Sequence, residues 1–187
     1  MTSPDVVPDR LRDHVMRIAA RLLALCLLPA AAVRAPGRAR HTACQWALAV
    51  RFPAENLAGL TEATRAAFTS ARTEALWRHG ELIGLTSGHR DAATQHQLFA
   101  VEVRRTGSPE AARRRVLPPN ESSHVRGTAM DVRPVQGARW LERHGNRFDL
   151  YRVYDNEWWH FEFLPEAGGL APARLPHPGF GSVRRSA

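Results

Sequence analysis

Apolar positions between Asn56 and His79 recur at helical intervals. Leu57, Leu60, Ala67, Phe68, Ala71 and Ala75 fall on one stripe, and Gly80 supplies a stop. The spacing predicts a helix over 56–79. The short apolar run from Glu81 to Ser87 reads as a buried strand. Asp91 can cap a second helix, Ala92 to about Arg105, which Thr106-Gly107-Ser108-Pro109 interrupts. A third, short helix from Pro109 to Val116 ends before Pro118-Pro119. Thr128 to Arg133 is strand-like and Gly137 to His144 is helical. Phe148 to Tyr154 and Trp158 to Phe163 read as two strands joined at the turn dipeptide Asp155-Asn156. Helices come first, strands later, and nothing alternates regularly. That order predicts an α+β domain with a small antiparallel sheet flanked by helices.

The flanks read differently. From Leu22 to Ala32 the chain runs LLALCLLPAAA, preceded by Arg17 and Arg21, with Ala30 and Ala32 placed as a small-residue cleavage site requires. Basic, apolar and small segments in that order form a secretory signal, so residues 1–35 are expected to be a signal peptide. Counting from Met16 gives a cleaner signal, which makes Met16 the expected start. The apolar run is too short for an ordinary bilayer span, and no stable membrane span is expected. Leu25, ahead of Cys26, is too large for a lipoprotein signal. Cleavage would leave Cys44 alone and no intrachain disulfide. Residues 36–53, rich in Arg, Ala and Pro, are expected to be a linker. The folded domain is then 54–165, and 166–187, with Pro, Gly and Arg and little to bury, is expected to be an irregular or disordered tail.

Composition narrows the partners. The 187 residues suit one domain, monomeric on this reading, and 44% hydrophobic content with five Trp supplies a sizeable core. The net charge of +8 comes almost entirely from scattered Arg. No nucleic-acid-binding motif accompanies them, so the charge indicates general attraction to a polyanion such as cell wall, without specific nucleic-acid recognition.

The candidate chemistry lies in two segments. Ser122 to Asp131 fits S-x-H-x-x-G-x-A-x-D. His124 stands in a loop after the paired prolines, Gly127 permits a sharp turn into a strand, and Asp131 can return beside His124. Imidazole and carboxylate are both ordinary zinc ligands. In Glu157-Trp158-Trp159-His160, a turn after Asp155-Asn156 can bring Glu157 and His160 to the same place. His160 then completes the ligand set, and Glu157 lies close to the metal without binding it. Three protein ligands leave a position for water, the mark of a catalytic Zn2+ site, and a nearby carboxylate can take that water's proton. Such a set also suits non-heme Fe(II), but that use leaves Glu157 without a role.

These motifs resemble the D-alanyl-D-alanine carboxypeptidase and dipeptidase zinc metallopeptidases (VanY- and VanX-like) of the lysostaphin/sonic-hedgehog fold group. The likeness runs from Leu82 to Phe163 and adds Ser87-Gly88-His89-Arg90, followed by Gln95, to the two segments above. It implies a small antiparallel sheet flanked by helices, with zinc on His124, Asp131 and His160 and Glu157 as general base. It further implies that Arg90 polarises the scissile carbonyl, with Ser122 and Gln95 in support. The family usually has Tyr where this chain has His89, which is expected to replace that ring in packing.

The resemblance implies a secreted, periplasmic or cell-wall D,D-peptidase acting on peptidoglycan stem peptides or on D-Ala-D-Ala. It leaves carboxypeptidase, dipeptidase and endopeptidase action open. Two alternatives stand beside it. One is an endopeptidase cutting between L-Ala and D-Glu, whose last motif more often reads D-x-x-H. The other is a zinc-containing wall-binding module without catalysis, against which Glu157 and Arg90 argue.

Overall fold

The structure, a computed structural model, describes residues 10–180. Its elements in chain order are helices α1 (Arg10–Arg34), α2 (Ala39–Arg51) and α3 (Glu62–Glu74), strand β1 (Gly84–Ser87), helices α4 (Ala92–Thr106) and α5 (Pro109–Ala112), strand β2 (Ala129–Arg133), helix α6 (Val135–His144), and strands β3 (Leu150–Arg152) and β4 (His160–Phe163). The strands form one four-stranded antiparallel sheet in the order β1-β2-β4-β3. The α+β architecture is therefore as the residue pattern predicts.

The expected elements are trimmed where side chains compete with the backbone. The Asn56 side chain accepts from the Ala58 N–H at 2.8 Å, turning the chain where a helix was expected. Thr61 then caps α3, its hydroxyl accepting from the Thr64 N–H at 3.1 Å. Beyond α3 a wider π-helical turn, Ala75–His79, ends at Gly80 in the left-handed conformation. At α4 the expected Asp91 cap is present, accepting from the Thr94 N–H at 2.8 Å.

One face of the sheet carries the core. Met130, Val132 and Phe161 point there, against Phe68 and Ala71 of α3 and Ala138, Trp140 and Leu141 of α6. In an antiparallel pair, residues of alternate parity point to opposite faces. Asp131, His160 and Glu162 therefore lie on the other face, with Asp131 directly opposite His160.

The expected linker is a correction. Within 36–53 the chain forms α2, which buries Ala43, Cys44, Ala47 and Leu48. Those four positions make a helical stripe, and Cys44, Ala47 and Leu48 join Phe52, Leu76 and Leu82 in a second apolar cluster. A buried ion pair fastens this layer to the sheet. Arg72 Nη1 meets Glu55 Oε2 at 2.7 Å, Arg72 Nε donates to Gln45 Oε1 at 2.7 Å, and Glu55 Oε1 accepts the Leu85 N–H of edge strand β1. Each charge is paired and hydrogen-bonded, as burial of charge demands.

The expected signal segment is helical as well. Ala20, Ala24 and Ala31 are buried, with Ala20 and Ala24 set against the α2 stripe, and Arg17 pairs with Glu81 at 2.7 Å. Its opposite side exposes Leu11, Val15, Ile18, Leu22 and Leu25. As a helix, Leu11–Arg34 is long and apolar enough to cross a membrane, which the shorter apolar run did not indicate. The first part of the 1–35 segment and the end of the 166–187 tail lie outside the described residues. Up to Phe180 the tail carries short 3-10 turns at Pro165–Ala167 and Pro178–Phe180 and is held against the domain. Leu175 bridges to Tyr154, and Pro178 and Gly179 are buried.

Candidate metal centre

His124, Asp131 and His160 are all buried, and one donor atom from each lies within 4.8 Å of the others. Three separate pieces of backbone produce this convergence. Antiparallel pairing of β2 with β4 sets Asp131 opposite His160, and the loop before β2 delivers His124. That loop closes tightly, the Gly127 N–H donating to His124 O at 3.1 Å and the Thr128 N–H to Ser123 O at 3.1 Å. Gly127 has φ +72°, the left-handed conformation that glycine adopts without cost.

Each ring is oriented by its second nitrogen. His124 Nδ1 donates to Gly88 O at 2.6 Å; a carbonyl can only accept, so the Nε2 lone pair faces the centre, 3.3 Å from Asp131 Oδ1. His160 Nε2 lies 3.0 Å from Glu162 Oε1, leaving Nδ1 inward, 3.0 Å from Asp131 Oδ1. Glu162 is in turn held by Ser123 Oγ at 2.7 Å. A ligand histidine whose remote N–H is held by carbonyl or carboxylate is the usual support of a protein metal site. The donor set and its support therefore fit a divalent metal, with Nε2 of His124, Nδ1 of His160 and an Asp131 oxygen as ligand atoms.

Electrostatics point the same way. Burial alone would lower the His160 pKa, but the bonds to Asp131 and Glu162 outweigh it and raise it to about 9. Burial would raise both carboxyls, yet the histidine contacts hold Asp131 well below the usual carboxylate range and also lower Glu162. The centre thus favours positive charge among fixed carboxylates.

Glu157 lies beside this group but outside it. Its Oε2 is 4.0 Å from His160 Nδ1, and its own carbonyl accepts the His160 N–H at 3.3 Å across the turn. Burial pushes its carboxyl up to about 7, against the opposing pull of His160. Arg90 also reaches the centre, Nη2 donating to Asp131 Oδ2 at 2.8 Å, Nη1 to Gln95 Oε1 at 3.1 Å and Nε to Ser87 Oγ at 3.0 Å. A register shift between Leu85 and Ser87 re-aims the chain just before it. Gln95 Nε2 passes the connection on to Leu117 O at 2.7 Å.

All seven residues singled out from the sequence line one cleft of about 520 Å³. Ser122 is buried in its wall. His89 is outside the lining, and its exposed ring lies over Gly59. Trp159 lines the cleft and Trp158 is exposed. Sequence reasoning missed Glu162, Ser123 and Tyr154, whose ring stacks on His160 at 5.1 Å. Glu162 had a signal: it follows His160 by two positions, which places both on the same face of a strand.

An α+β sheet with two histidines, an aspartate and a separate buried glutamate in one cleft defines a metallopeptidase-like site. Residues 58–166 match the VanY family, described as D-alanyl-D-alanine carboxypeptidase, and the chain belongs to that family. No curated protein matches the sequence at a significant level. Among solved structures it is similar to a mutant of the vancomycin resistance D,D-pentapeptidase VanY in complex with Zn(II), at 21% identity and TM-score 0.51, over 58% of this chain and 76% of that one. VanYB in complex with D-alanine-D-alanine matches at 18% identity and TM-score 0.53, over 59% and 74%. The LdcB LD-carboxypeptidase matches at 20% identity and TM-score 0.52, over 59% and 61%. At these identities the likeness is one of fold.

Proposed function

We propose that this protein is a zinc-dependent D,D-peptidase, a D-alanyl-D-alanine carboxypeptidase that hydrolyses peptidoglycan stem peptides. The observation that carries the reading is the buried Glu157 carboxylate beside, but not within, the His124-Asp131-His160 donor group. Family membership and the VanYB complex with D-alanine-D-alanine support the substrate.

A zinc ion held there would supply Lewis acidity toward the scissile carbonyl and acidify water. Glu157, with its pKa near neutral, takes one proton from the attacking water as its oxygen bonds to the carbonyl carbon. The same carboxyl then returns that proton to the departing nitrogen as the C–N bond breaks. Arg90 braces Asp131 through Nη2, which holds its guanidinium at the centre, where its positive charge would stabilise the developing oxyanion. Gln95 and Ser122 shape the wall, and Gln95 holds Arg90 in place. Export of the chain, with α1 as its signal, would bring this site to its substrate; residues 54–165 contain every residue assigned a role here.

Digestion of purified muropeptides with the zinc-loaded protein, read by mass spectrometry, tests the proposal. Loss of terminal D-Ala from pentapeptides is the expected product. Release of D-Ala from tetrapeptides instead would make the enzyme an L,D-peptidase. Glu157→Ala should retain zinc while turnover falls by about 10² to 10⁴; unchanged turnover refutes the mechanism.

A further inference from the structure

Away from the metal centre, the cleft follows α4. Leu98, Glu102 and Arg105 form one wall at helical spacing, faced by Arg115 and Leu117 from the loop after α5. The charges of the α4 wall cancel. Arg105 Nε donates to Glu102 Oε2 at 2.8 Å and its Nη2 to Oε1 at 2.5 Å, so both carboxylate oxygens are taken. Arg90 is already assigned to the reacting carbonyl, with Nε, Nη1 and Nη2 bonded to Ser87, Gln95 and Asp131. Arg115 is different. Its side chain makes no hydrogen bond or ion pair among the described residues, and it lines the same cleft as Glu102 and the proposed base Glu157. It therefore shares one cleft with the α4 wall and the reacting centre.

The loop that carries Arg115 is fixed at two points. Arg113 pairs with Glu121, and Asn156 Nδ2 donates to Arg114 O at 3.1 Å, tying the loop to the turn that bears Glu157. A guanidinium held at that place presents forked donors suited to a carboxylate.

We propose that Arg115 is the specificity-determining residue that reads the α-carboxylate of the amino acid released from the peptide C-terminus. The assignment rests on the peptidase reading above. That carboxylate is separated from the scissile nitrogen by a single carbon, so a group recognising it must share the cleft with the base, as Arg115 does on a loop tied to the Glu157 turn.

The test uses the full chain carrying Glu157→Gln, loaded with zinc, and an N-acetylated stem-peptide analogue ending in D-Ala-D-Ala. Calorimetry compares the free acid, its C-terminal amide, and the acid with internal carboxylates amidated. With Arg115 intact, the acid should bind about tenfold or more tightly than the C-terminal amide, and internal amidation should change nothing. Adding Arg115→Ala should make acid and amide equal by weakening only the acid, Arg115→Lys should fall between, and Arg104→Ala, a charge-matched control outside the cleft, should keep the preference. The proposal is overturned if the Arg115→Ala protein still prefers the acid, if the intact protein shows no preference, or if internal amidation removes the preference. Muropeptide turnover by the wild-type chain reads the peptidase function separately: turnover with an acid preference indifferent to Arg115 removes this inference alone, and absence of turnover removes the broader reading.

Discussion

Glu162 Oε1 lies 3.0 Å from His160 Nε2, so the remote nitrogen of a candidate ligand is held by a carboxylate two residues along the same strand. The contact fixes which His160 nitrogen faces inward and makes the imidazole a stronger donor. Glu162→Ala should therefore weaken zinc binding by about 10- to 100-fold, measured by chelator competition. Glu162→Gln, which keeps an acceptor oxygen, should lose less. Equal affinity in all three proteins would make Glu162 only a packing residue.

The His124 loop depends on one glycine. At Gly127, φ is +72°, and a Cβ placed there would run into the backbone carbonyl of Gly59. At Gly107, φ is +81°, but the surrounding space is open. Alanine at Gly107 should pay only the left-handed conformational cost, about 1–2 kcal/mol. Gly127→Ala should lose more stability and also lose zinc, because relieving the clash moves His124. Denaturant titration with metal analysis separates these outcomes.

Phe161 is fully buried between His160 and Glu162, pointing into the core as they point into the cleft. Truncating it leaves a cavity under the strand that holds both. Phe161→Ala should cost about 3–5 kcal/mol in denaturant unfolding. A loss below 1 kcal/mol would mean that the sheet does not rest on this residue.

The two cysteines report on α1. Cys44 is buried, and burial pushes its thiol up to about 11, so little thiolate exists near neutral pH. Cys26 is exposed on α1. With a haloacetamide at mildly alkaline pH, the folded full-length chain should label at Cys26 and spare Cys44 until denaturant is added. A chain cleaved after Ala32 loses Cys26 and uncovers the α2 face, so Cys44 should then label under native conditions. Protection of Cys44 in the cleaved chain would show that α1 does not shield it.

Residue spacing made much of the site legible. His124, Gly127 and Asp131 mark a loop turning into a strand, and Asp155-Asn156 marks the turn that lets Glu157 approach His160. The α2 helix went unread because its four buried positions sit among Arg, His and Gln; the stripe acquires meaning only with α1, Leu76 and Leu82 packed against it. The tail offered no periodicity, yet Pro178 fits the cleft wall and Leu175 bridges to Tyr154.

By itself the sequence determined the donor types, their order, and which residues within each strand share a face, because side-chain direction follows local backbone geometry. The tertiary structure decided the rest: that Asp131 pairs with His160, that Gly88 O and Glu162 orient the two rings, and that Arg115 comes to face α4. Those relationships join segments tens of residues apart. They depend on strand register and helix packing, which are settled by the whole core rather than by any one segment.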